Sequence, residues 1–267
     1  MIPKLRNVLD LLEEIAPMRL AEPWDNPGLQ VGSYSQEIKK ISLALDATTE
    51  SLHSARKRNA QLLLTHHPLI FKPISRIDIS TFPGNVILEA AKKGISIVAA
   101  HTNLDVAREG MNYILADLLS LQRVEVLQEI SGVEGVGLGR IGDLPQPNTL
   151  AAVLKELKGI LGVEKLRVVG REDLKVGRIA VVGGSGGSLV SHAFQKGADL
   201  LITGDVRYHH AMEAESLGIA LIDGGHFHTE KAAFRVFAKR LKGMIRARGW
   251  NVIVEVNDDE RDPVSYV

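Results

Sequence analysis

Short apolar runs alternate with stretches of helical periodicity along most of the chain. Apolar runs suit buried strands, and apolar residues spaced three and four apart suit one face of a helix. The alternation predicts an α/β fold. Strands are expected at 41–45, 62–64, 95–99, 166–169, 179–182, 200–203, 219–222 and 252–256, and helices at 5–15, from 50, at 87–93, 111–119 and 149–157, from 188, at 211–216 and after 226.

Two glycine-containing stretches interrupt this alternation. The stretch 24–32 contains Asn-Pro and two glycines, which predicts a loop. The region 124–142 is rich in glycine with alternating apolar residues, and edge strands are expected there. We place a lobe boundary beside it, so that 1–125 forms a first α/β lobe, 126–244 forms a second, and 245–267 returns a strand to the first.

The two halves also resemble each other in sequence. The segment 51–65 aligns with 188–203, and 94–97 aligns with 218–221. In the same alignment His101 falls on His226, and Asp105 falls on Glu230. Helix–strand alternation produces matching apolar strands by chance, but a matching His-x-x-x-acid after the same strand is harder to obtain that way. The pattern therefore predicts an internal duplication.

Histidines and carboxylates follow three of the predicted strands, at the rim where open α/β sheets bind ligands. A helix beginning at His226 would put Glu230 on the same face. Adjacent side chains diverge in extended backbone, so His66 and His67 are expected to serve different ions. Five residues thus predict two divalent metal ions with open positions for water or substrate: His66, His67, Asp105, His226 and Glu230.

Each of these residues also has a structural interpretation. His-His-Pro at a strand end is commonly a loop with one capping imidazole, and His-x-x-x-Glu on a helix is commonly a hydrogen-bonded surface pair. Asp105 could cap a helix or turn. Their joint placement at three strand ends favours metal binding over these alternatives.

Further candidates surround this set. His101 is grouped with the candidate catalytic residues, and it is either a ligand like His226 or an outer residue that orients Asp105 or a metal-bound water. Asp205 and His209 are candidates for acid–base catalysis or substrate contact, or else a helix cap followed by exposed histidines. The glycine-rich stretch 183–188 could cradle an anion with backbone N–H groups, or could be a tight strand-to-helix turn.

The amino-acid composition reduces the number of function classes that fit the chain. The chain has 32 Lys and Arg against 32 Asp and Glu, so no overall field recruits nucleic acid or an anionic membrane. With no cysteine, any metal must bind imidazole and carboxylate. No apolar run approaches the roughly 20 residues of a membrane helix, and the amphipathic start is unlike a signal peptide. We expect a cytoplasmic protein.

Several motifs resemble the NIF-three-like family, whose members are often called GTP cyclohydrolase I type 2 homologues or dinuclear metal-centre hexameric proteins. The match runs in order down to Asp262-Pro263, and the chain has no room for an inserted middle domain between 126 and 149, so it resembles the short form. The motifs are WDNPGLQVG at 24–32, LTHHPL at 64–69, AHTNLD at 100–105, GGSG at 183–186, ITGD at 202–205, Tyr208-His209, Gly225-His226 and Thr229-Glu230.

The resemblance implies two related α/β lobes that face each other across a dinuclear metal site, within a ring-shaped homohexamer. Carried over to this chain, His67 and Asp105 would bind one metal, His66 and His226 the other, and Glu230 would bridge. The native ions could be Zn, Fe, Mn, Co or Ni, since mixed imidazole–carboxylate sites accept several.

The leading hypothesis for function is a dinuclear-metal-dependent hydrolase of a nucleotide or related small molecule. By resemblance the substrate would be GTP, with a metal-bound hydroxide attacking C8 of the imidazole ring, although phosphate esters or amide-like bonds suit the same site. The alternative is a metal-binding, ring-forming interaction protein or metal chaperone without turnover. Nucleic-acid binding gains little support from a net charge of zero, six Phe and four Tyr.

Overall fold

A computed structural model describes residues 1–130 and 133–265 of the chain. The fold is mixed α/β with two sheets, as the hydrophobic pattern predicts. The chain divides into two compact units: Met1–Leu104 together with Phe234–Val267 form unit 1, and Asp105–Ala233 form unit 2. The predicted lobe boundaries at 125/126 and 244/245 do not coincide with the limits of these two units, and they stay a prediction. Small parts of the predicted segments 124–142 and 245–267, namely 131–132 and 266–267, lie outside the described residues.

Apart from the strand at 28–31, the α-helices and strands before residue 100 begin within three residues of their predicted positions. Thr48 caps the second helix by accepting a hydrogen bond from Ser51 N at 3.1 Å, and Gly94 ends the third with a left-handed φ of 64°. The elements are α1 (Leu5–Ile15), β1 (Gly28–Val31), β2 (Lys40–Ala44), α2 (Thr49–Lys57), β3 (Leu62–Thr65), α3 (Gly84–Lys93) and β4 (Ser96–Ala99).

The remaining elements complete both units. Among the described residues, no helix is long and apolar enough to span a membrane. The elements are α4 (Thr102–Val106), α5 (Met111–Leu118), β5 (Gln122–Glu129), β6 (Gly137–Thr149), α6 (Leu150–Leu161), β7 (Arg167–Val169), β8 (Lys175–Ser185), α7 (Val190–Gln195), β9 (Leu200–Gly204), α8 (Tyr208–Leu217), β10 (Ala220–Asp223), α9 (His226–Ala247) and β11 (Ile253–Val256).

Unit 1 contains a five-stranded sheet in the order β1-β4-β3-β2-β11. Strands β2, β3, β4 and β11 run parallel, and β1 is antiparallel to β4. All four residues of β3 are buried, as expected for a central parallel strand that is covered on both faces. The carboxyl ends of β2, β3 and β4 therefore lie at one edge of the sheet.

The loop predicted at 24–32 is wrong in part, because Gly28–Val31 forms β1 at the sheet edge. Gly28 pairs with Ala99, and Leu29 pairs with Val98. This strand exists because β4 offers an edge to pair with, which tertiary structure supplies and local propensity does not. Gly28 keeps its loop character, since its φ of 92° suits glycine.

Unit 2 contains a six-stranded sheet in the order β5-β6-β8-β9-β10-β7. Strands β8, β9 and β10 are parallel, β5 and β6 form an antiparallel extension, and β7 is antiparallel to β10. Two strands cover the described part of 124–142, where edge strands are expected: β5 lies at the edge of the sheet, whereas β6 is an inner strand that pairs with both β5 and β8. A buried apolar cluster lies between this sheet and its helices, and includes Leu127, Ile141, Val190, Leu201 and Leu221.

Both units share one skeleton. In unit 1, β2-α2-β3-α3-β4 places three parallel strands in sequential order, and in unit 2, β8-α7-β9-α8-β10 does the same. In each unit an antiparallel strand, β1 or β7, pairs with the third parallel strand. A histidine follows that third strand in both, His101 after β4 and His226 after β10. This is the relation between halves that the sequence repeat predicts.

Candidate metal centre

Three histidines of unit 1 form a compact cluster at the carboxyl ends of β3 and β4. His66 and His67 directly follow β3, and His101 follows β4 by two residues. Since Thr65 pairs with Ala99, the two strand ends are neighbours. The ring centroids are 5.0 Å apart for His66 and His67, 5.2 Å for His66 and His101, and 5.4 Å for His67 and His101. One ring nitrogen of each lies within 4.8 Å of the others, so the cluster could hold a metal ion.

The adjacent imidazoles of His66 and His67 do not diverge as the extended-backbone argument expects. Strand β3 ends at Thr65, and the Thr65 hydroxyl donates a hydrogen bond to His67 O at 2.8 Å. The alternation of side chains holds only within a pleated strand. Beyond the strand end the local turn, not the pleat, sets where these two rings lie.

Each ring of the cluster is held through Nδ1 by an oxygen atom. A backbone carbonyl only accepts, so the Nδ1 of His66 carries the hydrogen and its neutral ring has the lone pair on Nε2. Outer oxygen partners of this kind fix the orientation of histidines that bind metals. The Nδ1 partners are Ala100 O for His66 at 2.8 Å, Asp46 Oδ1 for His67 at 3.0 Å and Asp25 Oδ1 for His101 at 2.8 Å.

Asp25 is the most enclosed of these partners, with a side chain that is 0% exposed. Its other oxygen accepts from Thr102 N at 3.1 Å and Thr102 Oγ1 at 2.5 Å, and Asn26 N donates to Oδ1 at 2.8 Å. Burial alone would raise the pKa of Asp25, but the hydrogen bonds from His101 and Thr102 outweigh it and lower that pKa to about 2. Asp25 is therefore an ionised anchor for His101.

Unit 2 presents a histidine between two carboxylates. Helix α9 begins at His226, as predicted, and one turn later Glu230 Oε1 lies 3.0 Å from His226 Nε2. On the other side of the ring, Asp205 Oδ2 lies 2.7 Å from Nδ1. The hydrogen bond and charge of Glu230, helped by Asp205, raise the pKa of His226 to about 9 against the effect of burial.

The backbone conformation positions both carboxylates that flank His226, those of Asp205 and Glu230. Asp205 directly follows β9 and has a left-handed φ of 52°, a conformation that Asp tolerates better than most residues. Glu230 is buried and lies against Gly184, where an added Cβ would overlap Oε1. Gly184 also has a φ of 63°. Residue 184 therefore has to be glycine for two independent reasons, the close approach of Glu230 and the positive φ.

The glycine-rich stretch 183–188 uses several backbone N–H groups to hold its own turn, and an anion-binding role for it stays a prediction. Three of its N–H groups donate to side-chain oxygens of the same unit: Gly183 to Asn112 at 2.8 Å, Gly184 to Thr229 at 3.1 Å and Gly186 to Thr203 at 2.8 Å. The stretch is the end of β8 and the turn into the next helix, which was the alternative interpretation of the sequence.

The remaining predicted site residues lie as follows. Asp105 is in α4, one turn after His101, and its backbone oxygen accepts from Asn112 Nδ2 at 3.0 Å. His209 is exposed in the first turn of α8, with its ring 5.4 Å from that of Tyr208. The ligand role of Asp105 and the catalytic role of His209 stay predictions.

Sequence reasoning missed Asp25 and Asp46. Asp46 follows β2 by two residues, as His67 follows β3, so a carboxylate at the end of a third parallel strand was a usable signal. Asp25 offered no such signal from spacing, because it precedes β1 by three residues and reaches His101 only through the antiparallel pairing of β1 with β4.

The fold and site define a class: a two-sheet α/β protein with candidate metal-binding imidazoles at the carboxyl ends of parallel strands. The chain belongs to the Duf34/NIF3 (NGG1p interacting factor 3) family, whose model matches residues 3–263. It is 33% identical over 264 residues to the GTP cyclohydrolase 1 type 2 homolog of Clostridium acetobutylicum, covering 98% of each chain. It is 35% identical over 237 residues to the GTP cyclohydrolase 1 type 2 of Helicobacter pylori, covering 89% of this chain and 91% of that one.

A solved structure has the same fold. The crystal structure of a Bacillus cereus protein related to NIF3 superimposes with a TM-score of 0.92 at 28% identity, covering 100% of both chains. The family resemblance inferred from the motifs is therefore confirmed.

Proposed function

We propose that this protein is a metal-dependent hydrolase that acts on a nucleotide or a related small molecule. The observation that carries the proposal is the cluster of His66, His67 and His101, in which every ring is held through Nδ1 by an oxygen. GTP is the first substrate to test, because relatives at 33% and 35% identity carry the name of a GTP cyclohydrolase.

The proposed centre holds two divalent ions. Its ligands are the predicted five residues: His67 and Asp105 for one ion, His66 and His226 for the other, and Glu230 as the bridge. His101 joins them as a further candidate, because it belongs to the same imidazole cluster. The donors fit a divalent ion, since they are imidazoles with fixed rings and carboxylates, and Zn, Fe, Mn, Co and Ni all accept that set. A homohexamer is part of the same proposal.

Ions bound there would supply Lewis acidity and an activated water. The residues of the chain do the positioning. Asp205 fixes the ring of His226 from the Nδ1 side, and Asp25 does the same for His101. Asp205 therefore acts on the proposed site by orienting His226 as well as through the acid–base role considered for it, and His101, itself held by Asp25, is kept as a candidate catalytic residue. His209 is exposed in the first turn of α8 and is the proposed residue for exchanging protons with a substrate.

The test is turnover by protein loaded with each metal. Metal-free protein is reloaded with Zn, Mn, Fe, Co or Ni and incubated with GTP, other nucleotides and phosphate esters, and released formate or phosphate is measured. We expect turnover with at least one metal, and its loss in Glu230→Gln. The matched control is His53→Gln, which removes an exposed histidine of α2 and should retain full activity.

Metal content separates the outcomes. If Glu230 bridges, Glu230→Gln loses metal from both positions, and full retention of two ions would contradict the bridge. If metal binds stoichiometrically but no substrate is turned over with any of the metals, the hydrolase is contradicted and the metal-binding interaction protein is favoured.

A further inference from the structure

Two large aromatic side chains are exposed beside the histidine cluster of unit 1. Trp24 is 57% exposed and Phe71 is 45% exposed. Their ring centroids are 5.7 Å apart, and the ring planes are inclined by 51°. Aromatic residues make up only 4% of the chain, with two tryptophans. Leaving such a pair in water forgoes a large hydrophobic gain, and paired exposed rings commonly mark a binding surface.

The pair borders the candidate metal-binding imidazoles. The ring of His101 lies 6.1 Å from that of Trp24 at an interplanar angle of 73°, and 6.3 Å from that of Phe71 at 68°. His101 thus makes an edge contact with both rings while it belongs to the cluster with His66 and His67. A ligand on the aromatic pair would lie next to that cluster.

Hydrogen bonds lock together the two loops that carry these rings. Asn26 Nδ2 donates to Ile70 O at 2.7 Å, and Ile70 N donates to Gln30 Oε1 at 3.1 Å. Gln30 Nε2 in turn donates to Asn26 O at 2.7 Å. Ile70 directly precedes Phe71. Asp25 directly follows Trp24 and forms a hydrogen bond with His101. The pair is therefore held in place before any ligand arrives, which lowers the entropy cost of binding.

We propose that Trp24 and Phe71 form a stacking platform for a flat heteroaromatic ring in the ligand of this site, which stacks on one of the two rings and makes a tilted contact with the other because their planes are inclined by 51°. The proposal rests on the proposed function, because it names the part of that ligand that lies beside the metal-binding cluster. Stacking on aromatic side chains needs only a π-face and tolerates different rings. A saturated ligand such as a sugar phosphate would gain no stacking from this pair, so the platform selects for the ring.

The test uses the fluorescence of Trp24. In Trp250→Phe, Trp24 is the only tryptophan left, and guanosine is titrated into the full chain, both metal-free and zinc-loaded. We expect saturable quenching by guanosine in at least one of the two forms and none by ribose 5-phosphate. Adding Phe71→Leu should weaken guanosine binding on the order of tenfold, the loss expected for one stacking partner.

Controls separate stacking from general damage. Phe194→Leu removes a phenylalanine of α7 that is 44% exposed, and it should leave guanosine binding unchanged. By equilibrium dialysis, Trp24→Phe should keep most of the binding and Trp24→Ala should lose it, while both keep the metal content of the parent. Rescue by phenylalanine would show that a ring, not the tryptophan itself, is required.

Three results would overturn the platform: no quenching by guanosine in either form, equal binding of ribose 5-phosphate, or unchanged binding in Phe71→Leu. If raising the protein concentration alone quenches the fluorescence of Trp24, the platform is also overturned, because the aromatic pair would then be a contact between copies of the chain. The readout is binding and not turnover. A protein that hydrolyses phosphate esters but ignores guanosine refutes the platform alone, and a protein that binds guanosine but no metal refutes the proposed function alone.

Discussion

The two units place different chemistry on the same skeleton. At the end of the second parallel strand, unit 1 has His66 and His67, whereas unit 2 has Asp205. At the end of the third strand both have a histidine, His101 or His226. In unit 2 the second strand end supplies the carboxylate that orients the third-strand histidine. In unit 1 that position is taken by imidazoles, so His101 obtains its carboxylate from Asp25, outside the repeated skeleton.

This difference shows how related units can diverge in function without changing fold. Unit 1 supplies three imidazoles, whereas unit 2 supplies a buried carboxylate and a histidine held by two acids. The supporting interactions differ as well. Asp25 is enclosed, but the side chain of Asp205 is 54% exposed. Stability and metal affinity should therefore depend differently on the two carboxylates.

The largest expected effect is a difference in the free energy of unfolding between a variant of Asp25 and a variant of Asp205. Asp25→Ala leaves hydrogen-bond donors of Thr102 and His101 without their buried acceptor and should lower the free energy of unfolding by about 3 kcal/mol. Asp205→Ala removes an exposed partner and should cost less than about 1 kcal/mol. Urea unfolding of EDTA-treated protein measures both, and equal losses would break the comparison.

The next effect concerns how unit 2 positions Glu230. Gly184→Ala puts a Cβ into the space of Glu230 Oε1 and forces alanine into a left-handed conformation. Displacing this proposed ligand should weaken metal binding by about 10- to 100-fold, a loss like that seen when groups supporting a metal site are changed. Metal content after dialysis against a chelator measures it.

The matched control for Gly184→Ala is Gly159→Ala in α6. A Cβ at Gly159 meets nothing within 4 Å, and alanine is the better helix former. The variant should bind metal normally and gain about 0.5–1 kcal/mol of stability. Normal metal content in Gly184→Ala would mean that Glu230 does not need its observed position.

The smallest expected effect compares two exposed orienting carboxylates, one from each unit. Asp46 and Asp205 have side chains 51% and 54% exposed, and each holds the Nδ1 of one histidine. Asp46→Asn and Asp205→Asn retain an oxygen acceptor but lose its charge, so each should weaken zinc binding by about threefold to tenfold with unchanged stability. Competition with a fluorescent zinc chelator gives the affinities, and an effect in one unit alone would show that only that unit orients its histidine in this way.

Much of the fold could be predicted because its elements carry strong local patterns. Helix α1 has the predicted bounds, and β9 and α9 begin at the predicted residues. Strand β1 was missed, since a Gly-containing segment becomes a strand only when another strand edge is available. The closeness of His101 to the His66-His67 pair could be expected from two strand-end motifs, one after β3 and one after β4. The closeness of His66 to His67 could not, because it depends on a turn after β3.

The sequence by itself determined the α/β class, the repeated skeleton and the residue types at the strand ends, because hydrophobic periodicity and motif spacing are local properties of the chain. The tertiary structure alone decided which acids serve which histidines. Asp25 reaches His101 across 76 positions of sequence, and Gly184 lies against Glu230 only because β8 and the first residues of α9, 226–233, belong to one unit. Contacts of this kind depend on how strands pair and helices pack, which no local pattern specifies.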